Sequence, residues 1–264
     1  MRKAFGFTLV ELLVSLAVFL LVIAGASTFY VHQSQTRLSE QLGLTMEANL
    51  RLAMDTITFS IRNVGYGVPT SSLSTWIPWV AGFTTNPMIT TGGSATLPDR
   101  ISIASCTSQP VAVLKAVADP AVPTLTVDDA SSFNDTDKKL IYINDNELAV
   151  IQSISSNVLS IDTKPSVAGP QGVSKKYAVS TPICRVDVVT YSVDTVAKKL
   201  MRDDNQGAGP LAIMDGVTNM KITTVAGGAH TKYQIALTAQ SSQTDPTKLA
   251  TTSRSLSSTA SARN

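Results

Sequence analysis

The sequence predicts an α+β protein: one long N-terminal helix followed by a β-rich domain. Three observations carry this. No proline interrupts Phe7 to Val64, and from Val31 to Val64 the apolar residues keep helical spacing. Gly65-Tyr66-Gly67-Val68-Pro69 then supplies the glycines and the proline of a helix stop. Beyond it the chain breaks into short β-type runs separated by turn residues.

The first half of the helix is apolar on all sides. From Phe7 to Tyr30 the only formal charge is Glu11. About 24 residues at about 1.5 Å each reach ~36 Å, enough to cross a ~30 Å hydrocarbon core with some tilt. Arg2 and Lys3 precede this run and Arg37 is the first cation after it, which predicts a cytoplasmic N-terminus and a body on the far side of the inner membrane. A carboxylate one turn into such a segment is costly, so Glu11 calls for a compensating partner.

The second half, residues 31–64, is amphipathic. Leu42, Met46, Leu50, Ala53, Met54, Ile57, Ile61 and Val64, with Leu38 before them, fall within roughly half of the helical wheel. Glu40, Glu47, Arg51, Asp55 and Arg62 lie on the other side, with Glu47–Arg51 and Arg51–Asp55 at i,i+4 spacing. Leu44, Ala48, Leu52 and Phe59 form a weaker second apolar stripe, which meets either loops of the same chain or another subunit.

Residues 69–98, rich in Pro, Gly, Ser and Thr, read as a surface loop with Trp76 and Trp79 as an aromatic anchor. Strands are expected at 100–104, 111–114, 125–127, 140–144, 148–154 and 158–162, and residues 124–180 read as a compact inserted β-module. Residues 185–194 alternate on both faces like a central strand, followed by 199–202, 216–222, 233–239 and 251–259.

The N-terminal residues carry a family resemblance. A short basic leader (Met1-Arg2-Lys3-Ala4-Phe5), Gly6, then Phe7-Thr8-Leu9-Val10-Glu11 and a long apolar helix resemble the start of type IV prepilins and type II secretion pseudopilins. The resemblance implies cleavage by prepilin peptidase between Gly6 and Phe7, N-methylation of Phe7, and a role for Glu11 in assembly. It also implies a pilin-like body, residues 65–264, of antiparallel strands behind an assembly helix. Cleavage frees an ammonium group on Phe7, and a carboxylate at similar depth on a neighbouring helix is the counter-charge it needs in hydrocarbon. The lead-in Asp55…Ile61-Arg62-Asn63-Val64-Gly65-Tyr66, with Leu200-Met201-Arg202 and Gly216-Val217 further on, resembles PilW-type minor pilins, and GspJ-type pseudopilins next. The implied partners are the peptidase, other minor and major pilins or pseudopilins, and the inner membrane, with the pilus or pseudopilus as destination.

Two other readings compete at the N-terminus. A signal anchor could carry a stray acid near the interface. Ala24-Gly25-Ala26 has the form of a signal-peptide cut that would release a chain beginning at Ser27, although an apolar signal core is shorter, about 7–15 residues, and would not contain Glu11. A third reading, from another functional class, is an adhesin or ligand-binding module on the same anchor, with Trp76, Trp79 and residues 124–180 as its surface.

The chain has 264 residues, with Lys+Arg 21 against Asp+Glu 19. Without Arg2 and Lys3 the two signs balance, which points away from a nucleic-acid surface. Cys106 and Cys184 are the only cysteines. Outside the inner membrane an even pair suggests one disulfide, closing a loop of about 79 residues, and two unpaired buried thiols are the alternative. His32 and His230 lack metal-ligand spacing, and Gly92-Gly93 and Gly227-Gly228 read as turns rather than phosphate loops. Asp128-Asp129, Asn134-Asp135 and Asp137 read as a solvated loop rather than a Ca²⁺ site. No cofactor and no enzymatic activity are expected.

Overall fold

A computed structural model describes residues 9–68, 73–77, 82–83, 87–92, 97–106, 111–133, 140–144, 146–205, 208–225, 231–248 and 250–262. Helix α1 (Leu9–Arg62) is 54 residues long, or ~80 Å at about 1.5 Å per residue. It ends two residues before Val64. There the chain turns through Gly65 (φ 73°) and Gly67 (φ 67°), a left-handed backbone that side chains with a Cβ avoid. The turn is pinned to the next strand: Gly65 donates its N–H to the Ala104 carbonyl (3.1 Å), and Cys106 donates to the Tyr66 carbonyl (2.8 Å).

After α1 come a single helical turn, α2 (Leu73–Trp76), and strands β1 (Met88–Gly92), β2 (Asp99–Cys106), β3 (Ala112–Val113) and β4 (Thr124–Thr126). A 3-10 turn (Ser131–Phe133) leads to β5 (Leu140–Ile143), β6 (Glu147–Ser155), β7 (Val158–Asp162) and the long β8 (Pro182–Asp194). The chain closes with β9 (Lys199–Asp203), β10 (Leu211–Asp215), β11 (Val217–Val225), β12 (Lys232–Asp245) and β13 (Ala250–Ser261). Two corrections follow. Residues 69–98 are not loop throughout, because α2 and β1 lie within them. Leu211–Asp215, which alternation left unassigned, forms a hairpin with β9.

Among the described residues the strands form two antiparallel sheets. The larger has ten strands, with β1-β2-β8-β5-β6-β7-β4 as its main path and β3, β9 and β10 joined beside β8 and β9. The smaller is β11-β12-β13. Strand β8 is the hub, bonded to β2, β3, β5 and β9 along different parts of its length. Its alternation serves three apolar cores in turn. Ile183 joins the core of residues 112–183, Val186 and Val188 the core under α2, and Tyr191 the core beneath α1.

The core beneath α1 explains why the helix lies where it does. Met46, Leu50, Ala53, Met54, Ile57 and Ile61 face Ile235, Leu237 and Ala239 of β12 and Met220 of β11, all buried. Leu50, Ile57 and Ile61 are among the largest fully buried side chains. Burying each stabilises the docked helix by about 1.5–3 kcal/mol. Leu38, placed on the same face by its spacing, remains 42% exposed. The body therefore grips only the C-terminal part of the helix.

Candidate functional site

The N-terminal part of α1 stands clear of the body. Every described residue from Leu9 to Gln35 is exposed, including Leu9 (77%) and Phe19 (60%). Its richest 18-residue window has a mean hydropathy of 2.6 and no buried residue. An apolar helix that the described body leaves exposed is of the kind a bilayer or other subunits cover. Glu11 lies in the exposed apolar part of α1. Gly6 and Phe7 lie outside the described residues.

The point at which the body takes hold of the helix is a buried carboxylate that alternation and motif did not reveal. Asp245, at the end of β12, is 2% exposed. It accepts hydrogen bonds from Ser39 Oγ of α1 (2.8 Å), from Thr247 Oγ1 (2.6 Å) and N–H (2.9 Å), and from Thr252 Oγ1 (3.2 Å). Lys248 Nζ lies 3.7 Å away. The Thr247 hydroxyl first, then the other donors, hold its carboxyl well below the usual carboxylate range against the opposing effect of burial. The sequence signal was Asp245-Pro246-Thr247, an Asx-turn pattern at a hairpin tip. Glu47, two turns beyond Ser39, pairs with Arg51 on α1 and faces Arg254 Nη1 of β13 at 4.0 Å. Higher up, Tyr191 OH and Ser60 Oγ share a hydrogen bond of 2.9 Å.

The second apolar stripe is not covered by loops. Leu44 (68%), Leu52 (68%) and Phe59 (63%) are exposed, as is Ala48, so no described loop covers them. Two clefts flank the stripe. One, of about 660 Å³, separates Asn49, Leu52 and Thr56 from Lys199 and Ile213; the other, of about 480 Å³, separates Phe59 and Asn63 from Arg202 and Leu211.

The remaining candidates lie elsewhere. Cys106 and Cys184 are joined as a disulfide, with Cα atoms 5.8 Å apart, beside the helix-exit turn. Trp76 is half-buried against the core under α2, so its ring is largely spent on packing; Trp79 lies outside the described residues. Asp128 accepts the Val113 N–H (2.8 Å), and Asp129 accepts the N–H and hydroxyl of Ser131, both at 2.8 Å. Those donors, Val113 and Ser131 first, lower both carboxyls below their ordinary value. The two side chains organise the loop into the 3-10 turn. Asn134, Asp135 and Asp137 lie outside the described residues. Among the described residues no three His, Cys, Asp or Glu side chains gather as a metal site. His32 is exposed on α1, and His230 lies outside the described residues.

Residues 1–27 match a family model described as the prokaryotic N-terminal methylation motif. The match supports a type IV pilin-like protein. The matched span includes Gly6, Phe7, Glu11 and most of the apolar half of α1. No curated protein and no solved structure matches the chain. The motif and the projecting helix together fit a membrane-anchored structural subunit, processed at its N-terminus and assembled with other pilins.

Proposed function

We propose that the chain is a minor pilin of the PilW type, held in the inner membrane with its body in the periplasm until it joins a type IV pilus, in the tip or initiation complex. Prepilin peptidase cuts between Gly6 and Phe7, and Phe7 is then N-methylated. Glu11 supplies the counter-charge for a Phe7 ammonium within the helix bundle. The observation that carries the reading is the projecting apolar half of α1 with the methylation motif at its start. A body that grips only the end of its helix leaves the rest to be shared first with lipid and then with neighbouring subunits. The specific resemblance at Ile61–Tyr66, Leu200–Arg202 and Gly216–Val217 supports the PilW type.

N-terminal sequencing of the native protein by mass spectrometry tests this. The expected mature chain begins at N-methylated Phe7. A mature start at Ser27 would remove most of the apolar half of the helix and end the pilin reading.

A further inference from the structure

The smaller sheet has an open edge. Strand β13 pairs with β12 on one side and packs against α1, and no described strand pairs with its other side. The register shows which backbone groups that side offers. Ala262 donates its N–H to the Thr231 carbonyl (3.3 Å), and the pairing of Lys232 with Ser261 sets those two residues opposite each other. Bonded and unbonded pairs alternate along an antiparallel ladder. Arg254, Leu256, Ser258 and Ala260 therefore turn their N–H and C=O to β12, while Ser253, Ser255, Ser257, Thr259 and Ser261 turn theirs outward. Strand β11 agrees: Gln240, opposite Ser253, donates its N–H away from β13, to the Gly216 carbonyl (2.7 Å). Residues 253–261 pair with β12 without a shift, so the outward groups repeat evenly along the edge.

Proteins that keep a free edge unpaired blunt it with short length, prolines, lysines or bulges. Strand β13 carries none of these. It is 12 residues long, and β1 and β10 have 5 each. It has no proline or lysine, and its one charge, Arg254, faces Glu47 of α1 at 4.0 Å. The five outward residues are all Ser or Thr, whose short side chains leave the backbone within reach. We propose that this edge takes an extended segment of a different polypeptide, added antiparallel as a fourth strand beside β13. The segment that fits is free of proline, long enough to lie along residues 253–261, and bears Ser, Thr or other small polar residues opposite the hydroxyl row. A second copy's β13 does not fit that orientation. Strand β13 climbs in the direction of α1, since Thr252 meets Asp245 beside Ser39 and Arg254 meets Glu47. An antiparallel pair of β13 strands would point two α1 helices in opposite directions, and one bilayer cannot hold both; this step rests on the reading of the chain as membrane-held. A parallel pair of copies would have only the slanted, weaker bonds of that arrangement.

Amide hydrogen exchange on the full-length protein, purified alone and as the complex with other pilins, tests this. In the protein alone the N–H groups of Ser255, Ser257 and Thr259 should exchange fast and those of Leu256, Ser258 and Ala260 slowly. In the complex the first three should slow by at least tenfold. Ser257→Pro removes one outward N–H at a position where a strand tolerates proline, and should cut recovery of the other pilins at least tenfold. Ser257→Ala, which removes only a hydroxyl, should leave recovery unchanged. Outward amides that stay fast in the complex overturn the added strand, whether or not the proline variant folds. Equal losses from Ser257→Pro and Ser257→Ala overturn recognition through the backbone. Slowing of the same amides in the protein alone as its concentration rises overturns the choice of a different polypeptide. N-terminal sequencing of the same samples separates the two layers: a start at Ser27 refutes membrane anchoring, while the amide pattern still decides the edge.

Discussion

Replacing Gly67 with alanine isolates how tightly the helix exit is fitted to the body. Gly67 has φ 67°, and a Cβ built on it would lie 2.6 Å from Cys106 Cβ, 3.0 Å from Cys106 Sγ and 3.2 Å from Tyr142 Cδ1. The left-handed backbone costs a residue with a Cβ about 1–2 kcal/mol. The overlap adds about 1–3 kcal/mol, because Cys106 is tied to Cys184 and cannot swing aside. Relief by moving the turn would stretch the two hydrogen bonds that pin it to β2. The sum is about 2–5 kcal/mol, or roughly 5–15 °C in thermal midpoint for a domain of this size. Gly169→Ala is the control: its φ is 82°, with nothing within 4 Å of the added carbon, so it should lose only the backbone cost. Thermal unfolding by circular dichroism compares the two. Equal losses at Gly67 and Gly169 would refute the steric argument.

Three further outcomes are expected. Asp245→Asn should lower the thermal midpoint. Because the folded carboxyl titrates below its ordinary value near ~3.9, its stabilisation is present above that pH and lost as pH falls through the folded value. The acid limb of the wild-type stability curve should therefore be shallower in the Asn variant, and parallel limbs would count against the Ser39–Asp245 attachment. Glu11→Ala should be inserted and cleaved yet fail to co-purify with other pilins, since removing one partner of a buried ion pair costs about 3–5 kcal/mol; assembly at wild-type level would sink the counter-charge. Thiol labelling of periplasm-exposed protein without reductant should leave Cys106 and Cys184 unreacted, and reduction should destabilise the body by up to ~4.5 kcal/mol.

The parts of this fold legible in the sequence are those whose cause is local. Absence of proline and a 3.6-residue apolar period place α1, and the glycines of the exit turn end it. Two-residue alternation finds β6, β7 and β8 because each has at least one face turned to a core. Strand β1 escapes because Met88-Ile89-Thr90-Thr91-Gly92 sits in a Gly/Ser/Thr-rich setting and is held by distant pairing, Met88 opposite Ile103. Strand β10 escapes because three of its first four side chains are exposed, which leaves no alternation to read. At the candidate site, Gly6, Phe7 and Glu11 belong to a short-range motif that is visible in the sequence. Asp245 meets Ser39 across 206 residues, and no local pattern announces which carboxylate of a hairpin tip will be buried.

That attachment sets the geometry of the anchor. Ser39 is bound by the hairpin tip, and Met46 is the first helix residue buried in the body. Below Ser39, the 30 described residues Leu9–Leu38 extend ~45 Å, more than a ~30 Å hydrocarbon core requires. The excess is polar. His32, Gln33, Ser34, Gln35, Thr36 and Arg37 form a neck between the apolar run and the grip, six residues or ~9 Å long. In the membrane-held arrangement proposed above, a neck of that length would span the headgroup layer and let the body clear the membrane surface. In that arrangement, a grip that began at Tyr30 would press the body on the headgroups. The Ser39–Asp245 contact therefore marks the end of the exposed reach of the helix, and the apolar core from Met46 onward holds the rest.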